Sequence, residues 1–199
     1  MRRTELRAWL AGTALGLVLS VAPALAASGF DLPQLAALLA TRKSGEASFT
    51  EERFVSGFDG PLQAKGRLSF AAPDRFARHT TEPRDESMVV EGDSIVIKRG
   101  GRSRQMALDA APELSALVAA MRGTLMGDSP TLLKHFFVRV EGVPARWTMT
   151  LKPRDARLAN QVREIKIVGL LSEVRVVELW LGGGDRSVMA IDPIQTATR

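Results

Sequence analysis

The chain has 199 residues, with 27 Lys and Arg against 22 Asp and Glu, and no cysteine. That length fits one domain with a sizeable core, and the missing cysteines exclude disulfide staples, thiol catalysis and thiolate metal sites. The surplus of five positive charges is interleaved with acidic residues, without the run or stripe of a nucleic-acid footprint.

Residues 1–26 read as a secretory leader. Arg2, Arg3 and Arg7 form a basic start, and residues 9–21 are an apolar stretch too short to span a bilayer. Ala24-Leu25-Ala26 is a small-x-small cleavage site. Cleavage after Ala26 is expected, leaving one domain over 27–199 that is soluble and periplasmic.

Asp31 is a good helix N-cap, and Pro33 is tolerated in a first turn. Leu32, Leu35, Ala36, Leu38 and Leu39 then follow helical spacing, and Ser44-Gly45 is read as the stop. From residue 47 to 99 the period changes to two. Leu62, Ala64, Leu68 and Phe70 alternate with Gln63, Lys65, Arg67 and Ser69, so one strand face is apolar and the other polar. Turn residues at 57–61, 72–74, 82–84 and 91–93 cut this region into a meander of antiparallel strands. A further strand follows over 102–108.

A second helix is expected from Ala111, with Leu114, Leu117, Val118, Met121 and Leu125 on one face and an uncertain end at Gly123 or Gly127. Asp128 to Pro130 cap a short third helix over 131–136. Strands resume over 137–143, 146–152, 163–170, 174–181 and 187–191, with 153–160 read as a polar, mobile loop. The tail after Pro193 has no pattern. The fold class is α+β: an unclosed antiparallel β-barrel of about ten to eleven strands with about three helices over its mouth.

Catalytic chemistry is hard to assemble. His79 and His135 are far apart and lack metal-ligand partners at helical spacing. No G-x-S-x-G elbow is present, and Gly182 to Gly184 lie between strands rather than before a helix, so they read as a hairpin turn. Glu51-Glu52 and Asp85-Glu86 point to opposite faces within each pair and read as solvated charges. No enzyme activity, cofactor or metal is expected. What remains is apolar surface between sheet and helices: Phe49, Leu68, Phe70, Phe76, Val89, Ile95, Ile97, Met121, Leu125, Trp147, Met149 and Leu151. Pattern alone leaves open whether these close into a dry core or line a cavity.

Residues 47–50 (ASFT), the G-x-L-x-F-x-x-P-x-R-F pattern of 66–76, Glu82-Pro83 and the DESMVVEGDSI stretch of 85–95 resemble, in order and spacing, the periplasmic lipoprotein carriers of the LolA family. The resemblance is strong over 47–97 and looser over the rest of the chain. It implies an unclosed barrel with a helical lid and an apolar cavity for the acyl chains of a lipoprotein or lipid moving from the inner toward the outer membrane. The implied partners are an inner-membrane exporter or donor and an outer-membrane acceptor, with the carrier a monomer. The physics agrees, because each buried methylene gains about 0.8 kcal/mol and acyl chains do not cross water unescorted.

Two departures bear on the cavity mouth. Where the family has a lid-latching arginine before the motif proline, this chain has Ala72, and where it has a tryptophan after the Arg-Phe pair, it has Arg78. Phe76 matches the family phenylalanine implicated in dealings with the donor. Two forms of lid are therefore expected: one held loosely, or one latched by Arg78. A lipid sensor or adaptor of the RseB kind, built on a related half-barrel, is the alternative role. A lipid-directed enzyme is a third, without a visible site.

Overall fold

The computed structural model describes residues 29–110 and 112–194. The expected leader lies outside the described residues, as does most of the tail. Helix α1 spans Leu32–Leu39, with Asp31 and Gln34 bonded reciprocally in a capping box. Strands β1 (Ser44–Phe54), β2 (Leu62–Ala71), β3 (Arg75–Glu82), β4 (Glu86–Glu91), β5 (Ser94–Arg99) and β6 (Arg102–Ala107) follow as a meander. A 3-10 turn at Leu108–Ala110 leads into helices α2 (Pro112–Met126) and α3 (Ser129–His135). Strands β7 (Phe136–Val143) and β8 (Arg146–Pro153), helix α4 (Ala156–Gln161), and strands β9 (Val162–Leu170), β10 (Glu173–Leu181) and β11 (Arg186–Pro193) complete the chain.

All strands form one antiparallel sheet in the order β6-β5-β4-β3-β2-β1-β11-β10-β9-β8-β7. β1 and β11 pair along the middle, joining the two meanders, and β6 and β7 remain free edges. The barrel is unclosed, as the strand alternation predicts. Its concave face carries two cores. In the larger, Trp147, Met149, Leu151, Ile165, Ile167 and Phe136 of β7–β9 close against Leu35 of α1 and Leu132 of α3. In the smaller, Val90, Ile95 and Leu108 close against Val118 of α2.

Several sequence expectations need correction. Ser44 and Gly45 begin β1 rather than end α1, whose last turn is closed by the Ala40 N–H on the Ala36 carbonyl. The expected mobile loop at 153–160 contains helix α4, with Asp155 accepting a hydrogen bond from the Leu158 N–H at 2.9 Å. Phe136 starts β7 rather than ending α3. Gly123 lies inside α2, where a Cβ would come within 2.6 Å of Leu132, so it lets α3 pack close. Helix α2 ends at Gly127, whose φ of +64° would strain any other residue and whose Cα faces the Ala36 carbonyl of α1. These two glycines fix α2 against α1 and α3 and leave its other side over the sheet. Among the described residues no helix is long and apolar enough to cross a membrane.

Candidate functional site: an apolar cavity beneath helix α2

Between the two cores, α2 bridges the sheet without filling the space beneath it. A cavity of about 300 Å³ lies there, lined by Leu68, Phe76, Met88, Leu117, Val177, Leu179 and Met189, among others. A narrower space of about 60 Å³ continues toward α1, lined by Leu39, Ala47, Phe70, Leu125 and Val174. Leu68, Phe76, Met121 and Ile191 border both, so they form the waist of one passage. Strand register explains the lining. Phe70 pairs with Phe76, Leu68 with Arg78, and Phe76 with Val90, so one strand period places these side chains on the concave face.

The two ends differ. At the α1 end, Arg42 and Glu173 form an ion pair at 3.1 Å across the opening. At the other end the lining turns polar, with Glu51, Arg53, Arg78, Thr80, Glu86 and Ser187. Glu51 is only 6% exposed. Its carboxylate accepts hydrogen bonds from Arg78 Nη2 and from the Ser187 hydroxyl, both at 2.5 Å, and Arg53 stands 3.7 Å away. Arg78 lies over the Phe49 ring at 4.5 Å and also donates to Thr80. Burial pushes the Glu51 carboxyl up, but Arg78, the Ser187 hydroxyl and Arg53 outweigh it and hold the group below the usual glutamate range.

The expected site residues divide into three groups. Leu68, Phe70, Phe76, Met121 and Leu125 line the passage. Trp147, Met149 and Leu151 are fully buried in the larger core, and Ile95 and Ile97 belong to the smaller core, so none of these five faces the cavity. Phe49 is sealed beneath Arg78. Val89 lies opposite Val96 in a strand where Val90 points inward, so it is on the convex side.

Of the two expected mouth positions, Arg78 lies in the polar mouth and Ala72 does not line the passage. Ala72 is exposed in the turn between β2 and β3, with its N–H bonded to the Lys43 carbonyl. Arg78 lines the cavity but is engaged by Glu51 and does not hold the lid. A different arginine does. Arg122, on α2 itself, donates from Nη2 to the carbonyls of Asp74 at 2.8 Å and Gly92 at 2.5 Å. These carbonyls belong to the β2–β3 and β4–β5 turns, so α2 is tied to both.

Sequence reasoning missed two of these residues. Glu51 was legible, because alternation from Ala47 and Phe49 puts it on the apolar face. Arg122 carried no signal, since an arginine in an amphipathic helix usually faces water. Among the described residues no group of three or more His, Asp or Glu is placed to hold a metal ion.

No curated protein matches the chain in sequence. Solved structures similar to it include the LolA superfamily protein NE2245 from Nitrosomonas europaea, at 9% identity and a TM-score of 0.45 over 84% of this chain and 93% of that one. A DUF1329 family protein from Desulfovibrio piger is similar at 8% identity and a TM-score of 0.45, over 82% and 90%. The Pseudomonas aeruginosa MucA/MucB complex is similar at 15% identity and a TM-score of 0.35, over 85% of this chain and 59% of that one. The sequence over residues 24–191 matches the family described as outer membrane lipoprotein carrier protein LolA-like. The chain belongs to that LolA-like family.

Proposed function

We propose that this protein is an exported periplasmic carrier that takes an acyl chain of a lipoprotein or lipid into the passage beneath α2 and hands it on toward the outer membrane. The observation that carries this reading is the passage itself: an apolar space left open between two closed cores, with a polar mouth. A volume of about 300 Å³ lies at the small end of ligand pockets, which run from about 300 to 1,000 Å³. It fits one chain-like ligand, so a cargo with several chains needs α2 to lift.

The latch sets the cost of lifting. A hydrogen bond from a charged donor contributes about 1.5–3 kcal/mol, and Arg122 makes two from one nitrogen. Each buried methylene returns about 0.8 kcal/mol, so four to eight methylenes offset the latch. An acyl chain exceeds that, whereas a small solute does not. The lid is therefore stable when empty and opens for a long apolar ligand. The carrier has no catalytic step.

The test is a titration with a fluorescent fatty-acid analogue. One molecule is expected to bind per chain, and Phe76→Glu at the waist is expected to abolish binding while the sheet stays folded by circular dichroism. Absence of saturable binding by the parent protein contradicts the reading. The export part is tested separately, by N-terminal sequencing of the recovered protein, which is expected to start at Ala27.

A further inference from the structure

The end of the sheet that holds the polar mouth carries another feature. In this antiparallel order, β1 ends and β2 begins at the same edge where β5 meets β6 and β10 meets β11. Phe54, Phe58, Leu62 and Trp180 are all exposed there, Phe58 at 60%. The Ser56 N–H donates to Asp185 at 3.1 Å, which ties the β1–β2 loop to the β10–β11 turn and gathers these side chains on one rim. Three strands further along the sheet, at about 4.8 Å per strand, the β5–β6 hairpin presents Lys98, Arg99, Arg102 and Arg104.

Residues 98–104 contain no acidic side chain, and all four cations are exposed. Most carboxylates near this edge are already engaged. Glu82 pairs with Lys65 at 2.8 Å, Glu86 with Arg99 at 3.3 Å, Asp85 with His79 at 3.3 Å and Glu178 with Arg186 at 2.9 Å. Asp59, beside Phe58, and Glu52, near the end of β1, are the exceptions among the described residues. Arg102 and Arg104 lie on the free edge strand β6, where charge also discourages strand addition by another chain.

We infer that this rim docks on an anionic bilayer surface, with Phe58 and its apolar neighbours entering the headgroup layer and the β5–β6 tip held by lipid charge. Adsorption to a membrane surface strengthens with buried apolar area and with attraction to anionic lipid, and this edge supplies both. Docking here places the mouth bordered by Arg53, Glu86 and Leu181 against the lipid, so a ligand passes between bilayer and cavity with little exposure to water.

The experiment is co-sedimentation of the protein purified after export with vesicles of phosphatidylethanolamine and phosphatidylglycerol, compared with phosphatidylcholine alone. Binding to the anionic vesicles is expected, falling as salt is raised. Each cation near such a surface contributes roughly fivefold, so K98S/R102S/R104S together are expected to weaken binding on the order of a hundredfold. Phe58→Ser is expected to weaken it roughly tenfold. Both changes are at exposed positions, and circular dichroism checks that folding is intact.

A second readout needs no variant: brominated lipid is expected to quench the exposed Trp180 and not the buried Trp147. Equal binding to neutral and anionic vesicles overturns the inference, as does an unchanged affinity of either variant. Binding to neither vesicle also overturns it. Fatty-acid binding in solution does not depend on the rim, so failure of docking and failure of the carrier reading are distinguishable.

Discussion

The two halves of the sheet share one strand period and end differently. On β7–β9, inward side chains are large and helices close directly over them: α1, α3 and α4, with Ala116 and Ala120 of α2, leave Trp147, Met149, Ile165 and Ile167 without exposure. On β1–β3 and β10–β11, the inward residues Leu68, Phe76, Val177, Leu179 and Met189 face Leu117 and Met121 of α2 across an open space of about 300 Å³. Inward side chains are large on both halves, and only on β7–β9 do helices pack directly onto them. A cavity in this fold therefore comes from the contrast in how closely the helices approach one continuous sheet.

That contrast is broken most forcefully from the closed side. Trp147 is fully buried, its indole N–H donates to the Leu171 carbonyl at 2.8 Å, and a Cβ on Gly169 would sit 2.1 Å from its ring. Trp147→Ala is expected to cost about 3–5 kcal/mol in urea denaturation, the usual range for an emptied core site. Phe76→Ala, at the border of an existing cavity, is expected to cost about half as much, since part of its surroundings is already empty. If the two losses are equal, the halves are packed alike and the distinction fails.

Glu51 comes next. Glu51→Gln strips the charge from a buried partner of Arg78, and removing one member of such a pair costs about 3 kcal/mol at the low end of its range. The sign with pH follows from the lowered Glu51 value. The ionised form is favoured in the folded state, so its contribution is complete above the unfolded-state value and is lost as pH falls through the lower folded-state value. The difference in melting temperature between parent and Glu51→Gln is therefore expected to be constant at neutral pH and to shrink below the ordinary glutamate range.

Confined to the lid is the effect of Arg122→Ala. It is expected to lower the free energy of opening α2 by about 3–6 kcal/mol, the sum of its two hydrogen bonds, and to raise hydrogen exchange within α2 and the ligand off-rate together. Arg78→Ala is expected to leave the exchange of α2 unchanged. If Arg78→Ala rather than Arg122→Ala loosens α2, the latch assignment is wrong. The smallest effect belongs to Val89→Thr on the convex side, expected within about 0.5 kcal/mol of the parent.

Much of the fold was readable in the chain because both periods are clean. Alternation from Leu62 to Phe70 and helical spacing from Leu32 to Leu39 each survive into the structure. Helix α4 was hidden, because a six-residue element with no buried residue and a polar sequence has no apolar stripe to announce it. The site was only half legible. Period two names the inward residues but does not say which inward residues a helix will cover, and that decision rests on α1, α3 and α4 gathering over β7–β9. For this reason Phe70 and Met121 face a passage while Met149 and Leu151, equally apolar and equally alternating, close into a core. Arg122 could be found only from the structure, since its partners are backbone carbonyls from turns 30 and 48 residues away.

The central claim is that the space beneath α2 holds an acyl chain. Native mass spectrometry of the exported protein incubated with a fatty acid tests it most directly, comparing the parent with Met121→Trp, which fills the waist shared by both ends of the passage. The account predicts a one-to-one adduct on the parent and none on Met121→Trp at unchanged thermal stability. Equal adducts on both proteins, or none on the parent, would contradict it.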